Sequence, residues 1–483
     1  MTTIVWIFIT LQIVMGGSDT LYHHEFSEKL AWRKSQTHEL WLHGIRNIFY
    51  AVIFFGLGTI EPGGLWAYVI IIGLGVEFLI TLWDFVEEDL TRKLPASERL
   101  LHTVLTANYG VVLSLLVPVL WNWGHNDTAL TWTWYGPWSV LMIIAALGVF
   151  VLGLRDFHAS RRLKQLWTRP AADLITKMDG QKTVLITGGT GFIGRRLIPA
   201  LQADGHKIIV LTRNATTADL PAPITLIEKL ADIQNDASID VIINLAGESL
   251  SNGLWTAKKQ IAMRESRIGL TSKLIELIAR LESKPELLLN GSAIGVYGVT
   301  PDGELREDNE ITSDGTVSQK LCRDWETEAR KAEAYKVRVV LLRIGMVLDR
   351  EGGALNQIII PTEFGGGAVF GNGNHMMSWI TRDDLVGLIG HIIATPAITG
   401  AINGVGPEPV NNKRFTKAVA SALYRPTLVS IPAFVIKALG GLGREILLGD
   451  QTVVPAKALA HGYVFKDPNV EIAMQTNLRG STQ

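Results

Sequence analysis

Hydrophobic positions are distributed very unevenly along this chain. Five long apolar stretches precede residue 160, at about 3–20, 43–60, 65–86, 102–121 and 137–154. Each approaches the ~20 residues with which an α-helix crosses the hydrocarbon core of a bilayer. The pattern therefore predicts a membrane domain of about five transmembrane helices over residues 1–160. A soluble all-α domain with buried helices is the alternative interpretation.

The distribution of basic residues predicts an orientation. All 12 Lys and Arg before residue 170 fall within 29–46, 92–99 and 155–169, and the intervening loops at 61–64 and 122–136 contain none. With five spans, these three segments share one face, which the positive-inside rule makes cytoplasmic. We expect an integral protein of the inner membrane of a bacterium, in contact with membrane lipid, with its N-terminus outside.

Acidic residues and histidines crowd the predicted cytoplasmic helix ends. Three pairs are spaced four apart, which places both side chains on one helix face: Asp19/His23, Glu39/His43 and Glu98/His102. Glu77, Asp84 and Glu88 form another stripe, with Glu77 deep in its span, where an ionisable group is costly. Such residues could hold a metal or relay protons; alternatively, they only tie the helix ends together. No spacing matches a recognised metal motif.

The pattern changes after residue 160. Residues 161–181 are polar and basic, which predicts a linker, and short apolar strands then alternate with amphipathic helices. This alternation predicts an α/β doubly wound parallel sheet, the Rossmann class, over residues 182–355. We expect a small α+β substrate-side subdomain over 356–483, with part of it returning to the sheet.

A glycine-rich turn follows the first predicted strand of this region. Gly188 permits a tight turn, Gly191 lets the backbone approach a pyrophosphate, and Gly194 lets strand and helix pack closely. Because the turn lies between a strand and a helix, the sequence predicts dinucleotide binding. The candidate cofactor-binding residues of the turn and of the later Asn-Leu-Ala-Gly strand end are Gly188, Thr190, Gly191, Phe192, Ile193, Gly194, Asn244, Ala246 and Gly247.

The end of the second predicted strand indicates which dinucleotide binds. An acidic residue there would accept the ribose 2′-hydroxyl of NAD, but this chain has Arg213 followed by Asn214. An arginine can pair with a 2′-phosphate, so NADP is favoured as the cofactor and NAD is the alternative.

Composition narrows the function further. The 45 Lys+Arg against 46 Asp+Glu exclude a strongly basic nucleic-acid binder. A single cysteine, Cys322, excludes an intrachain disulfide framework and multi-cysteine zinc sites. We therefore expect a small-molecule or lipid-linked substrate and no nucleic acid, and the sequence does not indicate an oligomeric state.

Five motifs together resemble the extended and atypical short-chain dehydrogenase/reductase superfamily: GGTGFIG at 188–194, INLAGES at 243–249, GSAIGVYG at 291–298, LRIGMVL at 342–348 and WITRDDL at 379–385. Within this superfamily, the chain is similar to the predicted sugar-nucleotide epimerase subgroup. That subgroup has a characteristic C-terminal domain, whose signature is resembled by Arg425-Pro426, residues 447–449, Pro455 and residues 461–465. This resemblance implies a Rossmann fold, a nicotinamide cofactor and hydride transfer. Residues 1–170 show no such resemblance.

The resemblance implies a catalytic Ser or Thr and a Tyr-x-x-x-Lys pair, but this chain departs from that pattern. Lys320 is the candidate lysine, and Thr316 stands where its tyrosine belongs. Ser292 and Tyr297 lie in the segment that corresponds to the family's serine strand. We therefore name Ser292, Tyr297 and Lys320 as catalytic candidates, and Cys322 as a buried small residue. Further candidates for the pocket are Glu248, Ser249, Trp255, Arg264 and Arg267.

Three functions follow from these observations. The first is a membrane-anchored, NADP-dependent atypical reductase or epimerase that acts by hydride transfer on a hydroxyl or carbonyl substrate. The second, which follows from the missing tyrosine, is a non-catalytic NADP(H)-binding sensor or membrane scaffold. The third is a membrane redox centre, made of the histidines and carboxylates and supplied with electrons by the Rossmann domain.

Overall fold

The computed structural model describes residues 1–92, 94–216, 218, 220–248, 256–298, 303–311, 315–434 and 449–479. The chain divides into two compact units, Met1–Leu166 and Trp167–Gln483. We call them the helical unit and the sheet unit, and each is described by itself.

The apolar stretches of the helical unit form helices. They are α1 Thr3–Asp19, α2 Thr37–Thr59, α3 Leu65–Thr91, α4 Ala96–Trp123 and α5 Pro137–Gln165. Counted with adjoining turns, the described residues contain five helical segments of 26 to 30 residues that are long and apolar enough to cross a membrane. Two short strands, β1 Ile60–Pro62 and β2 Leu130–Trp132, pair antiparallel. They join the two loops that lack basic residues.

The helical unit has an apolar exterior and a partly ionic interior. Val52 and Ile72 are 68% and 66% exposed, whereas the Asp84 and Glu98 side chains are wholly buried. Leu57, Leu116, Leu120 and Met142 form part of its apolar core. Soluble proteins show the reverse arrangement, with charge outside and apolar groups within.

A π-helical segment, Thr20–Ser27, continues from α1 and buries His23, His24 and Glu25. Short π-helical insertions are frequent at functional sites, and the wider turn changes the direction of nearby side chains. Two 3₁₀ turns, Leu30–Trp32 and Lys34–Gln36, complete the connection to α2.

The sheet unit is built on seven parallel strands in the order β14-β9-β7-β6-β3-β4-β5. Their bounds are β3 Thr183–Thr187, β4 Lys207–Leu211, β5 Thr225–Ile227, β6 Val241–Asn244, β7 Leu287–Ala293, β9 Arg338–Ile344 and β14 Gly400–Gly404. The helices of this part are α6 Gly194–Ala203, α7 Ala257–Arg264, α8 Leu270–Arg280 and α9 Val317–Arg330. The predicted doubly wound parallel sheet is confirmed.

The remaining elements of the sheet unit are shorter. They are the strands β8 Glu304–Leu305, β10 Met346–Asp349, β11 Ala368–Phe370, β12 Met376–Met377, β13 Trp379–Thr381, β15 Val410–Asn411, β16 Val429–Ile431 and β17 Thr452–Val453, and the helices α10 Gly353–Glu363, α11 Arg382–Ala394, α12 Asn412–Ala422, α13 Ala456–Ala460 and α14 Val470–Leu478. Strand β14, from the C-terminal part, joins the main sheet beside β9.

The segment predicted as a linker, 161–181, is divided between two structures. Helix α5 continues to Gln165, whereas Leu174, Ile175 and Met178 are buried in the core of the sheet unit. A linker surrounded only by solvent would not bury apolar side chains, so the second half of this segment is part of the sheet unit.

Candidate active site

The glycine-rich turn has the geometry that its sequence predicts. Gly188 has a φ of +74°, and a Cβ there would lie 2.7 Å from the Leu245 backbone. A Cβ on Gly194 would lie 2.4 Å from the Gly188 carbonyl oxygen, so only glycine allows α6 to begin this close to the turn. The backbone of the turn consequently lines a cavity instead of being covered by its own side chains.

This cavity, the nucleotide cavity, has a volume of about 1060 Å³. Six of the predicted cofactor-binding residues line it: Gly188, Thr190, Gly191, Arg213, Ala246 and Gly247. It lies at the carboxyl ends of β3, β4 and β6, where open α/β sheets bind ligands.

Arg213 is exposed at the wall of the nucleotide cavity, and Glu228, on the neighbouring strand end, lines the same space. The Glu228 carboxylate accepts a hydrogen bond of 2.8 Å from the Ala215 backbone. This carboxylate is not apparent from the sequence, because only the pairing of β4 with β5 brings it close to Arg213. Arg195, also not apparent from the sequence, lines the cavity and donates to the Thr190 carbonyl at 3.0 Å.

Asn244 supports the cavity from below instead of lining it. Its side chain is fully buried, accepts from Thr187 Oγ1 at 2.6 Å, and donates to Thr271 at 2.9 Å and to Asn290 at 2.7 Å. Thr271 also accepts from Trp325 Nε1 at 2.9 Å. These bonds hold the strand end from which Ala246 and Gly247 project.

Phe192 and Ile193 have different surroundings although they are adjacent. The Phe192 ring lies beneath the Arg382 guanidinium at 4.9 Å, and a Cβ on Gly352 would lie 2.5 Å from that ring. Phe192 therefore packs the turn onto the rest of the sheet unit. Ile193 instead lines a second cavity.

The second cavity, which we call the reaction cavity, has a volume of about 460 Å³. It shares Leu245, Ala246 and Gly247 with the nucleotide cavity, so the two spaces adjoin. Its polar lining side chains are Ser292, Ser318, Arg267, Cys322, Ser378 and Gln451, and its other walls are mostly apolar.

Ser292 is the one predicted catalytic residue that lines the reaction cavity. It is buried at the end of β7, and its Oγ donates to Glu326 Oε1 at 2.7 Å. Arg343 holds the Glu326 carboxylate through two bonds of 2.9 and 3.0 Å. Strand pairing places Arg343 opposite Ser292, and no local sequence signal indicates this Ser–Glu–Arg chain.

Tyr297 is buried outside the lining of the reaction cavity. Its hydroxyl donates to Asn403 Oδ1 at 2.7 Å and accepts from Arg343 Nη1 at 3.0 Å. Burial raises the pKa of Tyr297 although the nearby Arg343 acts in the opposite direction. A phenol held in this way is a structural partner of Arg343.

Lys320 is exposed and does not line the reaction cavity. Thr316, which stands at the tyrosine position relative to it, accepts from Gln319 N at 3.2 Å and caps α9. Ser318 and Cys322 line the cavity instead. Residues four apart share a helix face, so Ser318 and Cys322 face the cavity together, and Lys320, midway between them, does not.

Cys322 keeps its proton at neutral pH. Burial raises the pKa of the Cys322 thiol to about 12, and the nearby Glu326 carboxylate acts in the same direction. Arg267 lies over the Trp325 ring at 5.4 Å beside it. The thiol is therefore an apolar lining group and a poor nucleophile.

The other predicted pocket residues are distributed around the rim. Glu248 Oε1 accepts from Lys259 at 2.7 Å, and Arg264 pairs with Asp324 at 2.7 Å on an exposed surface. Arg267 donates to the Glu248 carbonyl at 3.1 Å and lines the reaction cavity. Ser249 and Trp255 lie outside the described residues.

Comparisons with known proteins agree with this geometry. Residues 184–403 match a family described as NAD dependent epimerase/dehydratase family, and residues 431–476 match a Domain of unknown function (DUF1731). The chain is 37% identical over 308 residues to the chloroplastic SDR39U1 homolog of Arabidopsis thaliana, an epimerase family protein, covering 62% of this chain and 88% of the relative.

Two further relatives show the same relationship. The epimerase family protein YfhF of Bacillus subtilis is 35% identical over 295 residues, covering 60% of this chain and 96% of YfhF. The crystal structure of the human epimerase family protein SDR39U1 (isoform 2) with NADPH is similar with 29% identity and a TM-score of 0.55, covering 61% of this chain and 99% of the human one. These matches confirm the prediction of an NAD(P)-dependent enzyme of the oxidoreductase or epimerase type.

The glycine turn, the parallel sheet and these relatives lead to one assignment: the chain belongs to the NAD dependent epimerase/dehydratase family of extended short-chain dehydrogenase/reductases, with an SDR39U1-like sheet unit that ends in the DUF1731 domain.

Proposed function

We propose that the sheet unit binds NADP(H) across its two adjoining cavities and supports hydride transfer to or from a hydroxyl or carbonyl substrate in the reaction cavity. The observation that carries this proposal is the junction of the two cavities at Ala246 and Gly247, directly above the glycine turn. The NADPH in the similar human structure supports the choice of cofactor. Arg213 would pair with the 2′-phosphate.

NADP(H), when bound, supplies or accepts the hydride, and the chain must supply the accompanying proton path. Among the described residues that line the reaction cavity there is neither tyrosine nor lysine. Ser292 can accept a hydrogen bond from a substrate hydroxyl while its own proton points at Glu326. In the oxidation direction, the substrate O–H bond breaks, its proton moves to Ser292 Oγ, and the serine proton moves to the Glu326 carboxylate. Arg343 positions that carboxylate.

Nucleotide titration of the full chain in detergent tests the first half of the proposal. Gly194→Ala should weaken both NADPH and NADH at least ~100-fold, because its Cβ would lie 2.4 Å from the Gly188 carbonyl oxygen. Arg213→Ala should weaken NADPH by ~10–100-fold and NADH little, as expected for a lost charge-assisted bond. Gly110→Ala is the control, because its Cβ would meet nothing within 4 Å. Folded wild-type protein without affinity for either nucleotide would contradict the proposal.

Turnover with NADPH and a panel of carbonyl substrates tests the second half. Ser292→Ala should lower kcat by ~10²-fold or more, in the range for loss of a positioned proton-transfer group. Lys320→Ala and Tyr297→Phe should each change kcat less than ~3-fold, because neither side chain lines the reaction cavity. The reverse ranking would restore the family's Tyr/Lys scheme and remove the Ser292 mechanism.

A second candidate is an NADP(H)-binding sensor or scaffold without turnover. The side chains that line the reaction cavity favour it, because none of them is a good proton donor. Serine hydroxyls and a thiol of raised pKa stand in place of the phenol and ammonium of the family motif. Tight NADPH binding, together with no oxidation of NADPH by any substrate in the panel, is the result that distinguishes it.

The proposal places the helical unit in a bacterial inner membrane as an anchor, with its N-terminus outside and the sheet unit cytoplasmic. Support comes from the five apolar helical segments, the apolar exterior and the pairing of the two loops without basic residues. A hydrophobic or lipid-linked small molecule fits both the membrane location and the apolar reaction cavity. Near-zero net charge gives no support for a nucleic-acid partner.

Cysteine accessibility tests this topology, because the only native cysteine, Cys322, is replaceable by serine. In that background, Asn126→Cys should react with an impermeant maleimide on cells whose outer membrane is permeabilised but whose inner membrane is intact. Lys164→Cys should react only after the inner membrane is opened. Both positions are exposed in the helical unit. The opposite labelling pattern would invert the topology, and release of the protein by carbonate without detergent would remove the membrane assignment.

A further inference from the structure

A second polar centre lies inside the helical unit, unrelated to the nucleotide cavity. It brings together His24 of the π-helical segment, His43 of α2 and Glu88 of α3. One ligand-type atom from each lies within 4.8 Å of the other two, and all three side chains are at least nine-tenths buried. The two imidazole rings stack, with centroids 4.7 Å apart.

Each of these three residues has a buried polar atom without a hydrogen bond in the structure: His24 Nε2, His43 Nε2 and Glu88 Oε2. Each has a charged neighbour at ion-pair distance without hydrogen-bond geometry: His24 Nε2 lies 3.5 Å from Asp19, His43 Nε2 lies 3.2 Å from Asp84, and Glu88 Oε2 lies 3.3 Å from His102 Nδ1. A buried polar atom without a partner costs about 1–3 kcal/mol. Three in one cluster therefore indicate a missing partner that all three can share.

With neutral imidazoles, as metal ligation requires, the cluster carries more negative than positive charge. Five buried carboxylates surround the histidines: Asp19, Glu39, Asp84, Glu88 and Glu98. Their ion pairs with arginine involve two cations, Arg46 with Asp84 and Arg92 with Glu39, Glu88 and Glu98. Buried charges are normally paired or bound to a metal. A dication would offset much of the excess negative charge.

We propose that His24, His43 and Glu88 bind one divalent first-row transition-metal ion. Asp19, Glu98 and His102 form an overlapping set with His24, within the same 4.8 Å limit, and supply a further ligand or orient the first three. Two imidazoles and one carboxylate suit zinc, iron(II) or manganese(II) better than the all-oxygen sites that calcium and magnesium prefer. Three protein ligands leave coordination positions for water or a substrate.

The cluster adjoins a cavity through which a ligand can reach it. Asp19 and His102 line a cavity of about 260 Å³ inside the helical unit, together with Arg46 and many apolar side chains of the helices. His102 Nε2 is bound to Asp19 at 2.9 Å, and His102 Nδ1 lies 3.3 Å from Glu88. A molecule with a polar head and an apolar tail is the chemical class that fits this cavity beside the ion.

Metal titration of the full chain in detergent tests the site. After chelator treatment and dialysis, Co²⁺ should bind with at least one equivalent per chain and produce d–d absorption bands without a sulfur charge-transfer band, since Cys322 belongs to the sheet unit. Zn²⁺ should displace it. His24→Ala, His43→Ala and Glu88→Gln should each weaken Co²⁺ binding at least ~10-fold, as even outer-shell partners do.

Matched controls come from the same helices. His38 of α2 pairs with Glu87 of α3 at 3.2 Å at a more exposed position, so His38→Ala and Glu87→Gln should leave metal affinity unchanged. Folded wild-type protein that binds no Co²⁺, or folded ligand variants that bind it as tightly as wild type, would overturn the proposal.

Where a ligand variant does not fold, X-ray absorption of the zinc-loaded wild type decides. Scattering from two imidazoles supports the site, and a shell of oxygen alone overturns it. NADPH binding, measured in parallel, reports whether the sheet unit is intact. The metal result is therefore independent of the proposed enzymatic function.

Discussion

Two groups of buried polar side chains, one in each unit, differ in how fully they are hydrogen-bonded. In the sheet unit, the chain Ser292–Glu326–Arg343–Tyr297 ends on Asn403, and every link is a hydrogen bond of 2.7 to 3.0 Å. In the helical unit, the cluster around His24 contains several buried atoms without any hydrogen bond. Complete satisfaction holds one arrangement, which the proposed proton path through Ser292 and Glu326 requires. Incomplete satisfaction in the His24 cluster is what the proposed metal ion would relieve.

The largest expected effect comes from breaking the complete network. Arg343→Met would leave the buried Glu326 carboxylate without its cation and should lower the stability of the sheet unit by about 3–5 kcal/mol. Denaturant unfolding of the full chain, followed by tryptophan fluorescence, measures it. A loss below about 1 kcal/mol would mean that Arg343 does not hold the buried Glu326 carboxylate as we describe.

Metal addition should have the next largest effect on stability, and this effect concerns the helical unit. At a hundred times its Kd, Zn²⁺ should stabilise the helical unit by about 2.7 kcal/mol, because it binds the folded state. Thermal unfolding with zinc and with chelator measures the shift, which should vanish in His24→Ala. An equal shift in that variant would place the stabilising metal elsewhere.

A smaller effect is expected at the edge of the network. Tyr297→Phe removes the hydroxyl that links Arg343 to Asn403, and should cost about 1–2 kcal/mol, since the partners are buried. Tyr424→Phe is the control, because Tyr424 is exposed and its ring contact with Arg479 survives the change. Comparable losses in both variants would argue against a special role for the buried phenol.

The smallest effect should come from an exposed charge group. Arg414 pairs with Glu408 at 2.6 Å and with Glu471 at 2.8 Å, but all three side chains are more than 40% exposed. Arg414→Met should cost no more than about 1 kcal/mol, and less at high salt. A larger loss, insensitive to salt, would show that burial does not separate strong from weak polar contacts in this protein.

Local patterns predict much of this architecture. The glycine turn is recognisable because its conformation depends on neighbouring residues, and the sheet because its strands are short apolar runs between helices. The apolar stretches likewise became the helices of the helical unit. In each case, residues close in the chain determine the structure.

Contacts between distant residues were beyond that analysis. Spacing paired Glu98 with His102, but the structure pairs Glu98 with Arg92 and His102 with Asp19. Only Asp19 and His23, bound at 2.8 Å, keep their predicted partnership. Glu77, a candidate for metal binding or proton relay, accepts hydrogen bonds from Thr81 and Tyr109. Sequence spacing shows which side chains share a helix face, but the packing of the helices determines which of them form ion pairs.

The catalytic candidates failed to converge for a related reason. In helix α9, Ser318 and Cys322 face the cavity, whereas Lys320 is exposed, and the packing of the helix determines which residues face the cavity. The sequence motif alone does not contain that phase. Ser292 is predictable because it lies in a recognisable motif at the end of a strand. Glu326 is 34 residues from Ser292, and Arg343 is 17 residues from Glu326, so no local pattern connects the three.

The π-helical segment Thr20–Ser27 makes the buried histidines sensitive to chain length. Its wider turn accommodates more residues than an α-helix, and each residue of an α-helix advances by about 100°. Deleting one residue between 20 and 27 would let the segment rewind as ordinary helix, which roughly keeps the direction of α1 but changes the direction in which His23 and His24 point. Engineering of this region should therefore exchange side chains and leave the number of residues unchanged.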